Sequence, residues 1–245
     1  MISSTVSDRL SVTVLAHWEQ RGNRREIKLD YGFASLRLGR SFDVRVGKVK
    51  HPGSLYGEVF GVGTIRPFLS LPQSVYSTTA CLTFDSFTGV GLNGHLFAGN
   101  WDFGIVAYGG GGNCDYLPAR LVLALATVPN APPYDPTVSG RENLGGRLTI
   151  RPPLAGLQFG MSAFRITPEP PFGLPFTVTQ LGGHFEYATD MIWLRSEIYH
   201  QRGTQQGPGG FGRIRLTGYY GEAASFCRKR VAGGGPVRPP ARPVS

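Results

Sequence analysis

The sequence predicts an all-β protein made of antiparallel strands, and three observations support this prediction. Glycine and proline, which disfavour helix interiors and form turns, account for 35 and 19 of the 245 residues. Hydrophobic residues make up 41% of the chain and alternate with polar residues instead of forming blocks. No stretch approaches the roughly 20 apolar residues that a membrane-spanning helix needs. If the chain enters a membrane, we therefore expect it to do so as strands.

The first third of the chain shows three strands and one long loop. Apolar residues occupy alternate positions in residues 10–18, 27–33 and 42–46, as expected for strands with one apolar face. From His51-Pro52-Gly53 to about Asp85 the alternation stops, so this segment is predicted to be a single loop. Loops of this length inside an ordered domain are uncommon and usually functional.

The rest of the chain is predicted to form a series of hairpins. Gly109–Asn113 is expected to be a flexible loop, and residues 119–128 fit a strand or a short helix equally well because periodicity does not decide between them. The total is about ten or eleven strands of roughly nine to eleven residues, joined by short turns and long loops in alternation. The later strands are expected at residues 90–96, 101–107, 144–150, 157–163, 181–187, 192–199 and 213–222.

Two interpretations fit this pattern. Strands of ~9–11 residues with one apolar face, and turns that are much shorter at one end than at the other, are typical of bacterial outer-membrane barrels. Aromatic residues such as Trp18, Trp101 and Tyr187 lie near predicted strand ends, where amphipathic rings suit the lipid–water boundary. The alternative is a soluble β-sandwich that binds carbohydrate or nucleic acid, but its strands would usually have ~5–6 residues. We therefore predict an antiparallel transmembrane β-barrel.

Three stretches carry a resemblance to a known family. VRVGKVKHPGSLYGE starts at Val44, VGTIRPFLSLPQSVY starts at Val62, and GVGLNGHLFAGNWDFGIVAYGGGGN starts at Gly89. With gaps between them, residues from about 10 to 224 resemble the bacterial outer-membrane porins related to the phosphate-selective type. The resemblance implies a location in the bacterial outer membrane and a homotrimer for a complete barrel. It also implies passive diffusion of small hydrophilic, anionic solutes, with the long loop folded into the lumen as a constriction.

The predicted pore-lining residues follow from that resemblance. Residues 40–76 contain five cations against two acids, a surplus of three, and cations in a narrow passage favour anions. For each of these side chains the alternative is a solvated charge in a loop or at the rim. The candidates are Arg45, Lys48, Lys50, Glu58 and Arg66 in this stretch, with Arg37 and Arg195 on strand faces.

No pattern in the sequence indicates catalysis, and we predict that the chain is not an enzyme. The five histidines are dispersed, and no Ser-His-Asp order or paired-histidine spacing is present. Cys81, Cys114 and Cys227 lack the spacing of a metal site. We expect no cofactor, no metal and no nucleic-acid partner. The expected partners are the lipid bilayer and small anionic solutes.

The chain is expected to have two parts. Residues 1–225 are predicted to form the barrel, incomplete because it has fewer strands than the family's barrels and no visible signal peptide. Residues 226–245 contain five of the nine net positive charges together with many prolines and glycines. A segment of this composition cannot bury a core, so it is predicted to be a disordered basic tail.

Overall fold

A single antiparallel sheet of eleven strands forms the fold, and each strand pairs with the next one along the chain. The computed structural model describes residues 2–21, 24–57, 72–76, 86–114, 138–168, 176–207 and 210–225. The elements are β1 (Ile2–Ser7), β2 (Leu10–Arg21), β3 (Arg24–Arg37), β4 (Phe42–Lys50), α1 (Gln73–Tyr76), β5 (Ser86–Ala98), β6 (Trp101–Cys114), β7 (Val138–Arg151), β8 (Leu157–Pro168), β9 (Phe176–Ala188), β10 (Ile192–Gly207) and β11 (Gly210–Ser225).

The strands are long, as the barrel interpretation predicted. Apart from β1, they range from 9 residues in β4 to 16 in β10 and β11. Strands in soluble sheets usually have ~5–6 residues, whereas ~9–11 tilted residues cross a bilayer. Within the described residues the strands form one sheet, not the two stacked sheets of a β-sandwich, and β1 and β11 are not paired with each other. No helix in these residues has the length and apolar character needed to span a membrane.

Short turns connect the strands at one end of the sheet, and glycine makes two of them possible. Gly99 has a φ of 58° in the two-residue turn between Ala98 and Trp101, which pair with each other. Gly156 has a φ of 83° before β8, and a side chain there would lie 1.9 Å from the carbonyl oxygen of Ala188. Both positions require the left-handed conformation that glycine adopts without strain.

The two faces of the sheet differ in the way that the alternation predicted. We call the face against which residues 51–57 pack the inner face, and the opposite one the outer face. Large apolar side chains of the outer face stay exposed, including Leu144 at 61% and Leu181 at 59%. Polar side chains of the inner face are buried, among them Asn143, Gln180 and Glu197. This distribution is the reverse of that in a soluble protein, which buries its apolar face.

The inner face also carries a small apolar cluster below the point where β4 ends. Val49, Phe87 and Tyr108 pack together there, and Phe87 and Tyr108 stack with ring centroids 4.7 Å apart. Phe164 and Ile166 of β8 complete the contact from the other side. This cluster forms the floor on which the chain after β4 lies.

Three local predictions are corrected by the structure. Gly109–Asn113 is not a loop but part of β6, because Gly89 and Gly110 pair so closely that a side chain on Gly110 would meet the carbonyl oxygen of Thr88 at 2.3 Å. β1 lies ahead of the first predicted strand. β10 continues to Gly207, through part of the glycine-rich stretch 204–210 that was predicted to be a turn. Residues 119–128 and 226–245 lie outside the described residues.

Candidate functional site on the inner face

The chain leaves β4 at His51 and lies across the inner face, which makes residues 51–57 the centre of the candidate site. We call these residues the docked segment. Pro52 has no backbone N–H for a further strand ladder, so the strand ends there. Gly57 then lies so close to the backbone of His51 that a side chain on Gly57 would be 2.4 Å from the His51 carbonyl oxygen. The sequence His-Pro-Gly thus ends β4 and turns the backbone inward.

His51 is buried in this turn and is held in one tautomer. Its Nδ1 accepts a hydrogen bond from the Gly53 N–H at 3.2 Å, so in the neutral ring the proton is on Nε2. Nε2 therefore donates to the hydroxyl oxygen of Tyr108, 2.5 Å away. Burial first, and then the nearby charge of Arg147, lower the pKa of His51 to about 3. The imidazole is consequently uncharged at neutral pH.

The backbone carbonyls of the docked segment accept hydrogen bonds from three different strands. The Gly53 oxygen accepts from the hydroxyl of Ser162 at 2.6 Å, and at 3.1 Å it shares the single hydroxyl proton of Tyr199 with the Glu197 carboxylate. The Ser54 oxygen accepts from the Arg147 guanidinium at 3.3 Å. The donors belong to β7, β8 and β10, so the position of the segment depends on the whole inner face and not on its neighbours in sequence.

Glu197 of β10 is the centre of the polar contacts, although only 2% of it is exposed. One carboxylate oxygen accepts from the Leu55 N–H at 2.7 Å and from the Tyr199 hydroxyl at 3.0 Å. The other accepts from the Tyr220 hydroxyl at 2.6 Å and from the Tyr76 hydroxyl. Burying a carboxylate is costly unless its lone pairs are satisfied, and four donors satisfy them here.

Helix α1 is attached to the same cluster. The hydroxyl of Tyr76 accepts a hydrogen bond from the Tyr56 N–H at 3.0 Å while it donates to Glu197. Burial and the Glu197 carboxylate raise the pKa of Tyr76 well above its usual value, so it remains a donor. Ser74 donates to the Tyr219 carbonyl oxygen at 2.7 Å. Two described parts of the predicted long loop are thus fixed to the same strands.

Tyr56 joins the docked segment to a cationic side chain of β10. Its hydroxyl donates to Glu222 at 3.2 Å, and the Arg195 guanidinium lies 4.6 Å from the centre of its ring. Burial raises the pKa of Tyr56 to about 12, with Arg195 opposing the shift and Glu222 adding to it. Arg195 also stacks on Trp193 at 4.1 Å and pairs with Glu186.

A second group of charges lies nearer the short turns. Asp102 accepts from Arg151 at 2.8 Å and contacts His95 at 3.2 Å. Gln158 joins this group to the Arg195 pair, since it accepts from Arg151 at 3.3 Å and donates to Glu186 at 2.5 Å. The described inner face therefore has a charged, hydrogen-bonded character without the order of a catalytic triad. No group of three metal-binding side chains occurs in the residues that the structure describes.

The predicted pore-lining residues that the structure describes lie on β3, β4 and β10. Arg45 lies on the inner face, pairs with Asp43 at 3.3 Å and lies 5.2 Å from the Phe33 ring centre. Arg195 is on the inner face as described above. Arg37 ends β3, where it is exposed. Their role in a pore stays a prediction.

Lys48 and Lys50 have local partners outside the docked segment. Lys48 donates to the Leu29 carbonyl oxygen at 2.7 Å, and Lys50 pairs with Asp30 at 2.5 Å. Both alternate in β4 with Val49, which belongs to the inner apolar cluster. Glu58 and Arg66 lie outside the described residues.

Sequence reasoning missed the residues that hold the segment in place. His51, Tyr56, Tyr76, Glu197 and Tyr199 received no functional role in it. Their only signal was that Glu197 and Tyr199 fall on the polar side of a predicted strand, while Tyr56 and Tyr76 lie in the long loop. Nothing in the spacing indicates that these groups meet.

Comparisons with known proteins give similar folds only. No protein-family model matches the sequence, and no curated protein matches it. Among solved structures, in-vitro folded OmpT, an outer membrane protein of Vibrio cholerae, is 10% identical with a TM-score of 0.40, over 93% of this chain and 73% of that chain. The loop L8 deletion mutant of OmpT is 11% identical with a TM-score of 0.36, over 91% and 83%. A trimer form of OmpT is 13% identical with a TM-score of 0.36, over 91% and 78%.

The predicted all-β fold is confirmed by the eleven-stranded sheet of this chain itself. The names of the three neighbours describe outer membrane proteins, which is the location predicted for this chain. None of the three is described as a phosphate-selective porin, so that finer resemblance stays a prediction.

The prediction that the chain is not an enzyme is corrected. It depended on dispersed histidines and carboxylates and on the porin resemblance. The fold instead gathers Glu197, Tyr76 and Tyr199 in one buried cluster, so the dispersal of such groups along the sequence is no ground for excluding catalysis. The exclusion of catalysis therefore does not hold.

Proposed function

We propose that this chain forms the wall of a porin-like outer-membrane barrel, through which small hydrophilic solutes diffuse passively, with a preference for anions. One observation carries the proposal: the sheet exposes its apolar face and covers its polar face. Val46, Val90 and Ile198 are each 50–54% exposed on the outer face, while Glu197 is almost completely buried on the inner face. A lipid solvent around the sheet makes this arrangement favourable.

The size of the apolar outer face supports the same proposal. Soluble monomers rarely expose contiguous apolar patches above a few hundred Å². Each apolar Å² that is removed from water contributes about 25 cal/mol, so a bilayer around these strands would stabilise the chain strongly. In plain buffer the same face would promote aggregation.

The docked segment supports a narrowed passage. It lies across the inner face under β7, β8 and β10, where a loop would reduce the width of a barrel interior. Arg147 adds positive charge next to the segment, as the lowered pKa of His51 indicates. Arg45 adds a second cation on the inner face, although Asp43 partly balances it. The proposed preference for anions depends on these groups together with the cation surplus of residues 40–76.

Planar bilayers give the direct test. Protein refolded in detergent is added to one side, and single-channel currents are recorded in a potassium chloride gradient. We expect stepwise conductance. We also expect a reversal potential closer to the equilibrium potential of chloride than to that of potassium. The double variant Arg45→Glu with Arg147→Glu should move the reversal potential toward the equilibrium potential of potassium. The control variant Arg9→Glu with Arg40→Glu changes the same charge in the turns at residues 8–9 and 38–41 and should leave it unchanged.

A correctly folded protein that gives no conductance would overturn the proposal. Equal shifts of the reversal potential in the two double variants would instead show that the charges of the inner face do not set the ion preference. We also propose that the complete barrel is a homotrimer, which sedimentation in detergent would contradict by giving a monomer.

A further inference from the structure

Four exposed arginines lie together on the outer face, on the strands β8, β10 and β11. Arg165 and Arg202 both pair with Thr179 across the sheet, and Arg202 also pairs with Arg215. Arg213 pairs with Thr204 one step further along β11. We call Arg165, Arg202, Arg213 and Arg215 the arginine row.

This arrangement is unfavourable without an anion. Like charges directly opposite each other in an antiparallel pair are destabilising, and Arg202 and Arg215 are such a pair. None of the ion pairs formed within the described residues involves the arginine row, and Arg202 donates to the Nε2 of His200 at 3.2 Å. Glu142 is the one described acid on the neighbouring outer surface, diagonal to Arg165.

The inner face shows that the chain pairs its arginines elsewhere. Arg45, Arg151 and Arg195 each have a carboxylate partner. Within the described part of the chain the arginine row has no carboxylate partner of this kind, which leaves its guanidinium groups available to an anion from outside.

An apolar groove ends at the arginine row. It is a shallow depression, open over most of its area, with a volume of about 690 Å³. Small residues such as Ala107 and Ala163 line it together with larger ones. The outer-face residues that line it include Val90, Leu92, Ala107, Leu144, Ala163 and Arg165.

The groove and the arginines are continuous across the strands. Leu144 of the groove pairs with Arg165, and Arg165 pairs with Thr179, which lines the groove as well. An apolar channel that ends in guanidinium and hydroxyl groups matches a molecule with a hydrocarbon chain and an anionic head. Arginine binds phosphate oxygens through two parallel N–H donors, which makes phosphate the anion of best fit.

We propose that this surface binds one anionic phospholipid, with an acyl chain in the groove and the headgroup phosphate on Arg165, Arg202 and Arg215. The inference rests on the proposed function in one respect, namely that the outer face meets lipid. The position agrees with this role, because Arg165 lies three residues before the end of β8 and Arg213 is the fourth residue of β11, at the end of the sheet opposite Gly99 and Gly156. Long arginine side chains near strand ends reach the headgroup level of a bilayer.

Native mass spectrometry of the full chain, refolded in a neutral detergent, tests the proposal. The probes are phosphatidylglycerol and phosphatidylcholine with identical acyl chains, added in equal amounts. We expect one phosphatidylglycerol to be retained, with a preference of about tenfold over phosphatidylcholine, which has the same phosphate but also a choline cation that the arginine row repels. The double variant Arg202→Gln with Arg215→Gln should bring the preference to about twofold or less. The variant Arg9→Gln with Arg40→Gln removes the same charge from the opposite end and should keep it.

Two further variants separate the sources of the anion. Ala107→Leu with Ala163→Leu fills the groove with apolar atoms on the lipid side, so it should weaken retention of both lipids equally. Inorganic phosphate at the same concentration should not displace the bound lipid, because it lacks the acyl chain. If the double arginine variant does not fold, Arg165→Gln, which has no like-charged partner opposite, gives the same test.

Equal retention of the two lipids by the natural chain would overturn the proposal, as would full displacement by inorganic phosphate. An unchanged preference in folded arginine variants would overturn it too. The outcome is separable from that of the proposed function. If the protein conducts but shows no lipid preference, only the proposal of the lipid site is overturned. If it does not conduct but keeps the lipid preference, only the proposal of passive diffusion is overturned.

Discussion

Arg195 and Arg202 lie on the same strand, seven positions apart, yet they have opposite environments. Arg195 points to the inner face, where it pairs with Glu186 and stacks on Trp193 and Tyr56. Arg202 points to the outer face, where it is exposed and lies opposite Arg215. The inner face supplies partners for its own charges, whereas the outer face leaves them to the surroundings. The difference indicates that the inner face is a fixed polar network, whereas the charges of the outer face are available to molecules outside the chain.

The largest effect should come from breaking the centre of the inner network. In Glu197→Ala, three donors lose their acceptor while Tyr199 keeps the Gly53 oxygen, and unsatisfied buried donors cost ~1–3 kcal/mol each before water replaces the contact. We expect docking of residues 51–57 to be weakened by about 3–5 kcal/mol. Hydrogen exchange of the Leu55 amide, followed by mass spectrometry in detergent, measures this effect. Ile198→Ala on the outer face is the neighbouring control and should leave the exchange of Leu55 unchanged.

A charge placed on the outer face should have the second largest effect, and on a different property. Met161 is 57% exposed there. Met161→Arg should destabilise the inserted state by about 2–4 kcal/mol, as expected for a cation near the middle of a bilayer. Urea titration of the protein in lipid vesicles measures the loss. Ser162→Ala on the inner face should not change insertion to this extent, and an equal loss in both variants would mean that the outer face does not meet lipid.

Acid should release the docked segment. Because the folded pKa of His51, about 3, is below the usual value of 6.5, the undocked state binds the proton more tightly. Docking is therefore fully stable above about pH 6.5 and weakens as the pH falls toward 3, by about 2 kcal/mol at pH 5. Exchange of the Gly53 amide at pH 7.5 and pH 5 measures this. His51→Gln should remove the difference between the two pH values, and a difference that survives the change would assign it to other groups.

The smallest effect should come from a single hydroxyl at the edge of the network. Tyr56→Phe removes the hydrogen bond to Glu222 but keeps the ring beside Arg195. We expect a loss of about 1 kcal/mol in docking, the usual net value of one hydrogen bond. Tyr219→Phe is the matched change on the outer face, where the ring is 71% exposed, and docking should not respond to it. Proteolysis of the docked segment under native conditions compares the two.

The sequence predicted the local features well where each depends on neighbouring residues. Alternation in residues 157–163 and 192–199 indicated both the strands and their apolar faces, and Gly99 and Gly156 lie in turns where turns were expected. It did not predict that Gly109–Asn113 continues a strand. Glycine has a weak strand preference by itself, and only the close pairing with Gly89 makes it favourable there.

Pattern reasoning reached the candidate site only in part. Arg45 and Arg195, chosen as pore-lining residues, lie on the inner face, but the groups that hold residues 51–57 there were not foreseen. Lys48 and Lys50 were chosen for their charge, and their contacts with Leu29 and Asp30 could not be foreseen because they depend on the pairing of β3 with β4.

The sequence by itself determined that this chain forms long strands with one apolar and one polar face, because that property depends on each residue and its near neighbours. Only the tertiary structure decided where the loop after β4 goes. The contact between Leu55 and Glu197 joins residues 142 positions apart, and that between Gly53 and Ser162 joins residues 109 apart. Such contacts form after the strands have paired in order, when the hydroxyl groups, the carboxylate and the guanidinium of different strands face the same buried space and satisfy one another there.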